Sequence, residues 1–170
     1  VLNCFSYTGG FSVNAALGGA TQVTSVDLDA DAIALARRNF KENGLSAESH
    51  DFLASDVGEV LKSFASQGRK FDLVVLDPPA YGRGPSGEVW QLFEHLPAMV
   101  DTCRSILTPK PLAVILTAYS IRASFFAIHE LMRDRFTGLG GTVESGELIL
   151  RERAAGRALS TSMFSRWVAK

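Results

Sequence analysis

The sequence predicts an α/β domain, a doubly wound and mostly parallel seven-stranded sheet closed by a C-terminal antiparallel hairpin. Three observations point there. Strand-like and helix-like patterns alternate along all 170 residues, without repeats, linkers or low-complexity tracts. Repeated β–α units require right-handed crossovers, which wind helices onto both faces of a parallel sheet. The run FDLVVLD, Phe71–Asp77, is apolar nearly throughout, as a strand covered on both faces must be. Two alternating segments near the end, Thr142–Glu152 and Leu159–Val168, are linked too briefly for a crossover and must pair antiparallel at a sheet edge.

The elements follow in order. Val1–Phe5 reads as the first strand, followed by a Gly-Gly turn and a short helix over Phe11–Leu17. Val23–Asp27 is the second strand. Asp29 caps a helix reaching Asn43, where Gly44 stops it. A third strand near Glu48–Phe52 leads through Asp56 into a helix over Val57–Ala65. Phe71–Asp77 is the fourth strand; Pro78 and Pro79 cannot donate to a sheet ladder and end it. A long helix over Gly87–Leu107 would align Val89, Phe93, Leu96, Val100, Cys103 and Leu107 on one stripe, with Trp90 and Phe93 as core. Pro109 and Pro111 break it before a fifth strand, Leu112–Ala118, and a helix over Ala123–Phe136.

Bulk properties narrow the function classes. A hydrophobic fraction of 46% with a net charge of −1 describes a globular protein rather than a disordered one. No apolar run approaches the roughly 20 residues that span a bilayer, and no signal peptide is evident, so a cytoplasmic location is expected. Cys4 and Cys103 fall inside predicted core elements, as buried thiols rather than a disulfide. His50, His95 and His129 lack metal-ligand spacing, so no metal is expected. Acids outnumber bases 13 to 7 up to Cys103 and bases win 10 to 5 beyond it, which leaves phosphate contact open without demanding it. The chain starts at Val1, already inside a strand and without a methionine, and reads as one domain, 1–170, of a longer protein.

Ligands of doubly wound sheets bind beyond the carboxyl ends of the strands. Four segments reach that rim with chemistry. Gly9 and Gly10 permit positive φ and close approach, and the helix after them offers free N–H groups. Asp27 ends the second strand, where an acid can accept ribose hydroxyls or share the capping of the next helix with Asp29. Asp56 can receive an adenine amino group or cap the helix at Val57. Asp77 ends the fourth strand ahead of two prolines. Their order, glycine turn then three acids after successive strands, is more informative than any one of them.

The stretches VLNCFSYTGGFSVNAALGGA, VTSVDLDADAIALARRNF and FDLVVLDPPAY resemble the class I S-adenosylmethionine-dependent methyltransferases. They are most similar to the bacterial large-subunit ribosomal RNA methyltransferases of the cytosine-5 and guanine-N7 type. The resemblance covers essentially the whole chain and implies S-adenosyl-L-methionine as cofactor and RNA, ribosomal above all, as substrate partner. The general family pattern puts an acid and three glycines on the first strand; here Asn3, Phe5 and Tyr7 stand there and only Gly9 remains. The absence of G-x-G-x-x-G also disfavours a nicotinamide cofactor. By resemblance Tyr7, Thr8, Gly9 and Gly10, beside Phe5, would hold the methionine end. Asp27 with Leu28 would hold the ribose, and Asp56 the adenine.

Asp77 would then lie beside the sulfonium methyl, accepting an N–H from the edge of a base. Pro78 and Pro79 would stiffen the backbone beneath it, and Tyr81 would stack on the base, worth about 1–3 kcal/mol. The plainer alternative makes Asp77 a loop cap and Tyr81 packing. Methylating cytosine C5 needs a cysteine nucleophile, which such relatives carry after the fifth strand. Here that place reads LTAYSIRAS, without a cysteine, so a base nitrogen is the expected acceptor. Arg83, Tyr119, Ser120 and Arg122 are candidate substrate contacts; Arg122 could equally cap a helix or pair with an acid. Gly82, Gly84 and Gly87 read as a lid or a plain turn. Two other readings keep the fold: a small-molecule or protein acceptor, and a catalytically silent cofactor-binding or scaffold domain.

Overall fold

Seven strands form the central sheet: β1 (Leu2–Cys4), β2 (Thr24–Asp27), β3 (Asp51–Ala54), β4 (Leu73–Leu76), β7 (Ala113–Ala118), β8 (Thr142–Arg151) and β9 (Ala158–Val168). Their spatial order is β3-β2-β1-β4-β7-β9-β8, parallel from β3 to β7 and antiparallel thereafter. The computed structural model describes residues 1–84, 87 and 89–170. The order reverses between β1 and β4, the place where a doubly wound sheet opens its crevice.

Among the described residues five α-helices flank the sheet: α1 (Gly10–Leu17), α2 (Ala30–Glu42), α3 (Val57–Ser66), α4 (Leu92–Ser105) and α5 (Phe125–Phe136). The larger core cluster joins Leu2, Cys4, Val74, Leu76, Val114, Leu116 and Trp167 of the strands to α3, α4 and α5. A smaller cluster of Val13, Val23, Phe40 and Ala47 lies under α1 and α2. Helices α4 and α5 run side by side: Asp101 pairs with Arg135, and Arg104 donates to the carbonyls of Arg135 and Thr137 at the C-terminal end of α5. Trp167 is fully enclosed, stacked 5.0 Å from Phe136, and its indole N–H donates to Gly140 O at 2.8 Å.

The structure corrects two expected elements. The third strand is Asp51–Ala54 rather than 48–52, and Ala47–Ser49 is a turn of 3-10 helix. That register puts Asp51 opposite Thr24, where its carboxylate takes hydrogen bonds from Thr24 and Arg69. The long helix expected from Gly87 begins only at Leu92. Before it, β5 (Tyr81–Arg83) and β6 (Val89–Gln91) pair as an antiparallel ribbon. Val89 and Phe93 are therefore exposed instead of lining the core stripe, which Leu92, Leu96, Met99, Val100 and Cys103 occupy. Pro97 lies inside α4, where it has no N–H to donate to Phe93 O.

His50 supplies a pH signature. The Val23 N–H donates to its Nδ1 at 3.0 Å, so the ring is neutral with its proton on Nε2. Burial pulls its pKa below the ordinary 6.5, and the Asp51 charge opposes this. A folded pKa below the unfolded one gives stability that is complete above pH 6.5 and is lost as pH falls through the folded value. Burial alone would raise Asp51, but hydrogen bonds from Arg69 and Thr24, with the charge of Arg69, hold it below 3.8, so its own contribution is lost only at lower pH. Denaturant midpoints measured from pH 7.5 to 5 should therefore fall in the wild type and fall less in His50→Gln.

Candidate active site

The parallel ladders end in step. Cys4 lies level with Val26 and Leu76, Val26 with Leu53, and Leu76 with Leu116. The next residues, Phe5, Asp27, Asp77 and Thr117, therefore emerge at one height, with Asp56 two residues beyond β3. Asp27 and Asp77 flank the end of β1, their strands about 10 Å apart at ordinary sheet spacing. All three expected acids thus reach one rim.

The glycine turn is held from two sides. Asp27 Oδ2 accepts the Tyr7 N–H at 2.7 Å, and its Oδ1 accepts the Asp29 N–H at 3.0 Å. Asp29 caps α2 on its own, accepting from Asp31 and Ala32. Asp27 is therefore a clasp between two rim loops, and each carboxylate oxygen retains acceptor capacity for a hydroxyl. From α2, Asn39 Nδ2 donates to Thr8 O at 2.9 Å, and Ala36 lies against Gly9. Gly9 has φ +81°, while Gly10 faces open space.

Strain collects on this rim. The described non-glycine residues with positive φ are Phe5 (58°), Tyr7 (45°) and Ser120 (54°), all of them candidate site residues. Such conformations cost about 1–3 kcal/mol each and persist where the surroundings enforce them, commonly at functional sites. Tyr7 and Leu28 are exposed beside the turn, and Ser6 Oγ is buried without a partner among the described residues. Asp56 Oδ1 caps α3 through the Glu59 N–H at 2.9 Å, so the helix-capping alternative is realised.

Around Asp77 the structure adds two residues that sequence reasoning missed. The Thr117 hydroxyl donates to Asp77 Oδ1 from the neighbouring strand. Trp90, expected as helical core, lies in β6 instead, packs 5.7 Å from Phe5, and donates its indole N–H to Pro79 O at 2.7 Å. The Leu92 N–H donates to Ala80 O at 3.1 Å. The Pro78-Pro79 segment is thus braced by hydrogen bonds as well as by ring stiffness. Thr117 was legible as a hydroxyl opposite Asp77 in an apolar run; nothing local marks Trp90.

Tyr81 is 54% exposed and its hydroxyl accepts from Arg83 Nε at 3.0 Å, which leaves a ring face to solvent and removes the packing alternative. Tyr119, Ser120 and Arg122 are exposed, and Arg122 has neither an ion pair nor a helix-capping bond among the described residues. Gly82 pairs with Trp90 in the ribbon, and an added Cβ would lie 3.7 Å from Trp90 Cβ. Gly84 and Gly87 close a turn through a 3.1 Å backbone bond; the rest of the expected lid, Pro85, Ser86 and Glu88, lies outside the described residues. Cys4 and Cys103 are fully buried, and burial raises the Cys4 thiol and pushes Cys103 up to about 12. A cavity of about 300 Å³ between α5 and β8–β9 lies at the opposite end of the sheet. Among the described residues no metal-like cluster of three or more His, Cys, Asp or Glu side chains occurs, and no helix is long and apolar enough to cross a membrane.

A doubly wound sheet with a glycine turn, an acid on the second strand and Asp-Pro-Pro on the fourth defines a nucleoside-cofactor crevice. Residues 1–108 match the family model described as S-adenosylmethionine-dependent methyltransferase, and the chain belongs to that family. It is 51% identical over 81 residues to a Klebsiella pneumoniae protein named ribosomal RNA large subunit methyltransferase I, and 47% identical over 81 residues to its Escherichia coli namesake. Each match covers 48% of this chain and 20% of the relative. A solved S-adenosylmethionine-dependent methyltransferase from Agrobacterium tumefaciens superposes with TM-score 0.93 and 49% identity, over 99% of this chain and 55% of that one. A Streptococcus mutans structure shares the fold at TM-score 0.76 and 24% identity, over 98% of this chain and 44% of its own. The chain thus spans about half of the Agrobacterium protein. The residues present fit the methyl donor: acids for its hydroxyls, amine and cationic sulfonium, and open space before Gly10 where a side chain would stand.

Proposed function

We propose that this chain transfers the methyl group of S-adenosylmethionine to a base nitrogen of RNA, ribosomal RNA first, with Asp77 orienting the base. The carrying observation is the fixed carboxylate of Asp77, held by Thr117 beside a braced Pro-Pro step and level with Phe5 at the end of β1. When bound, the cofactor supplies an electrophilic methyl on a sulfonium. Tyr7, Thr8, Gly9 and Gly10 would hold its methionine end, Asp27 and Leu28 its ribose, and Asp56 its adenine.

Asp77 accepts an N–H of the target base and turns the nucleophilic nitrogen toward the methyl. A ring nitrogen attacks with a lone pair already present; an exocyclic amine gives its hydrogen to the carboxylate. The exposed ring of Tyr81 stacks on the base, and Arg83, Tyr119, Ser120 and Arg122 line its approach. Displacement at a methyl carbon demands alignment above all, which rigid strand ends provide. Both thiols are buried and protonated, which supports a route without a cysteine adduct. The names of the relatives support RNA as acceptor.

The test supplies methyl-labelled cofactor to the full-length protein with ribosomal RNA, total protein and small-molecule pools. Label in RNA, resolved to a methylated nucleoside by mass spectrometry, is expected; label confined to the other pools overturns the RNA reading. Cofactor at a hundred times its Kd should also stabilise the protein by about 2.7 kcal/mol. No thermal shift would remove the cofactor site from this rim.

A further inference from the structure

We infer that Thr117 is a positioning residue that sets which oxygen of Asp77 faces the acceptor, an inference that rests on the proposed role of Asp77. Thr117 is 4% exposed on β7, directly across the ladder from Asp77 because Leu116 pairs with Leu76. Its hydroxyl has two acceptors in reach, Asp77 Oδ1 and, at 3.4 Å, Leu76 O. It carries one proton, and an ionised carboxylate is the stronger acceptor.

This bond removes the last freedom of the acid. The Asp77 N–H is bonded to Cys4 O at 3.3 Å, and Pro78 restricts its backbone from the other side. What remains are the side chain's own two torsions, of which the terminal one is intrinsically broad because it joins sp³ to sp² carbon. A β-branched donor on a buried strand is stiff at χ1 and pins that rotation. No other side-chain hydrogen bond reaches the Asp77 carboxylate among the described residues, so Oδ2 keeps its lone pairs for the acceptor.

Thr117→Val keeps the shape and removes the donor; Thr117→Ser keeps the donor; Thr117→Ala serves if valine does not fold. With the full-length protein and ribosomal RNA, Thr117→Val should lower kcat about 10–100-fold, leave the cofactor Kd within about twofold and leave KM for RNA little changed. Thr117→Ser should recover most of the rate. In an Asp77→Asn background, removing the Thr117 hydroxyl should cost nothing further and return part of the rate, since it frees the amide to turn its oxygen toward the base. A merely structural hydroxyl would lower Tm equally in both backgrounds and leave kcat alone, which would overturn the inference. If Asp77→Asn itself runs at full rate, the role of Asp77 falls and that of Thr117 with it. An inactive Asp77→Asn beside a fully active Thr117→Val overturns Thr117 alone.

Discussion

Asp77→Asn should lower methyl transfer about 10²–10³-fold, the usual loss when a preorganised polar group is removed from the reacting centre. Its affinity for S-adenosylmethionine should stay within about twofold. Asparagine keeps the size and the backbone of aspartate, so the loss is chemical. Thr117 donates to Oδ1, and an amide satisfies that donor only by turning its carbonyl oxygen toward it. The NH₂ group then points where the base N–H must be received, and two donors face each other. Asp77→Ala lacks the acceptor but also lacks this repulsion. The near-isosteric asparagine should therefore be no more active than alanine, an order that a space-filling role for Asp77 would reverse. Single-turnover transfer gives the rates, and calorimetry with the cofactor alone separates lost binding from lost chemistry.

The parallel half of the fold was legible, the bounds of β3 apart, because most of its elements carry their own signal. FDLVVLD is apolar on both sides, Asp29 and Asp56 cap helices where an acid precedes an apolar pattern, and Gly44 sits in the left-handed region that ends α2. The segment after Asp77 was misread because two periodicities overlap. Val89, Phe93, Leu96 and Val100 fit a helical stripe, yet Val89, Trp90 and Gln91 are taken by the ribbon with Tyr81–Arg83. Trp90 is the reason: its bond to Pro79 O and its packing on Phe5 exist only in the folded chain. Among the site residues, the acids were legible from their place after strands. Their double duties were not. Asp27 clasps Tyr7, and Asp56 caps α3 in the same position that would serve a ligand. Losing either acid would disturb a loop or helix as well as a contact. Asp77 is the cleaner probe of chemistry.

Gly9→Ala should be the most destabilising single substitution in the glycine turn. Two effects add. Its backbone, at φ +81°, costs an alanine about 1–2 kcal/mol. The new methyl would stand 2.8 Å from Ala36 Cβ and 3.3 Å from Ala36 Cα, and backbone cannot rotate away as a side chain can. Forced overpacking adds about 1–3 kcal/mol, so the total of roughly 2–5 kcal/mol is a large share of the 5–15 kcal/mol typical of a domain. Thermal unfolding should fall by roughly 5–20 °C for a chain of this size. Ala36→Gly in the same chain removes the methyl–methyl clash but not the φ penalty, so a double-mutant cycle should return a favourable coupling of about 1–2 kcal/mol. Zero coupling would mean that α2 does not confine Gly9. The neighbouring substitution is the control. Gly10→Ala meets nothing within 4 Å and sits in ordinary helical backbone, so stability should change by less than about 1 kcal/mol. Its methyl occupies the space assigned to the methionine end of the cofactor, and the cofactor Kd should rise while the fold stands. One methyl moved by one residue thus separates what holds the turn from what the turn holds; a Gly10→Ala protein that binds the cofactor unchanged would place the donor elsewhere on the rim.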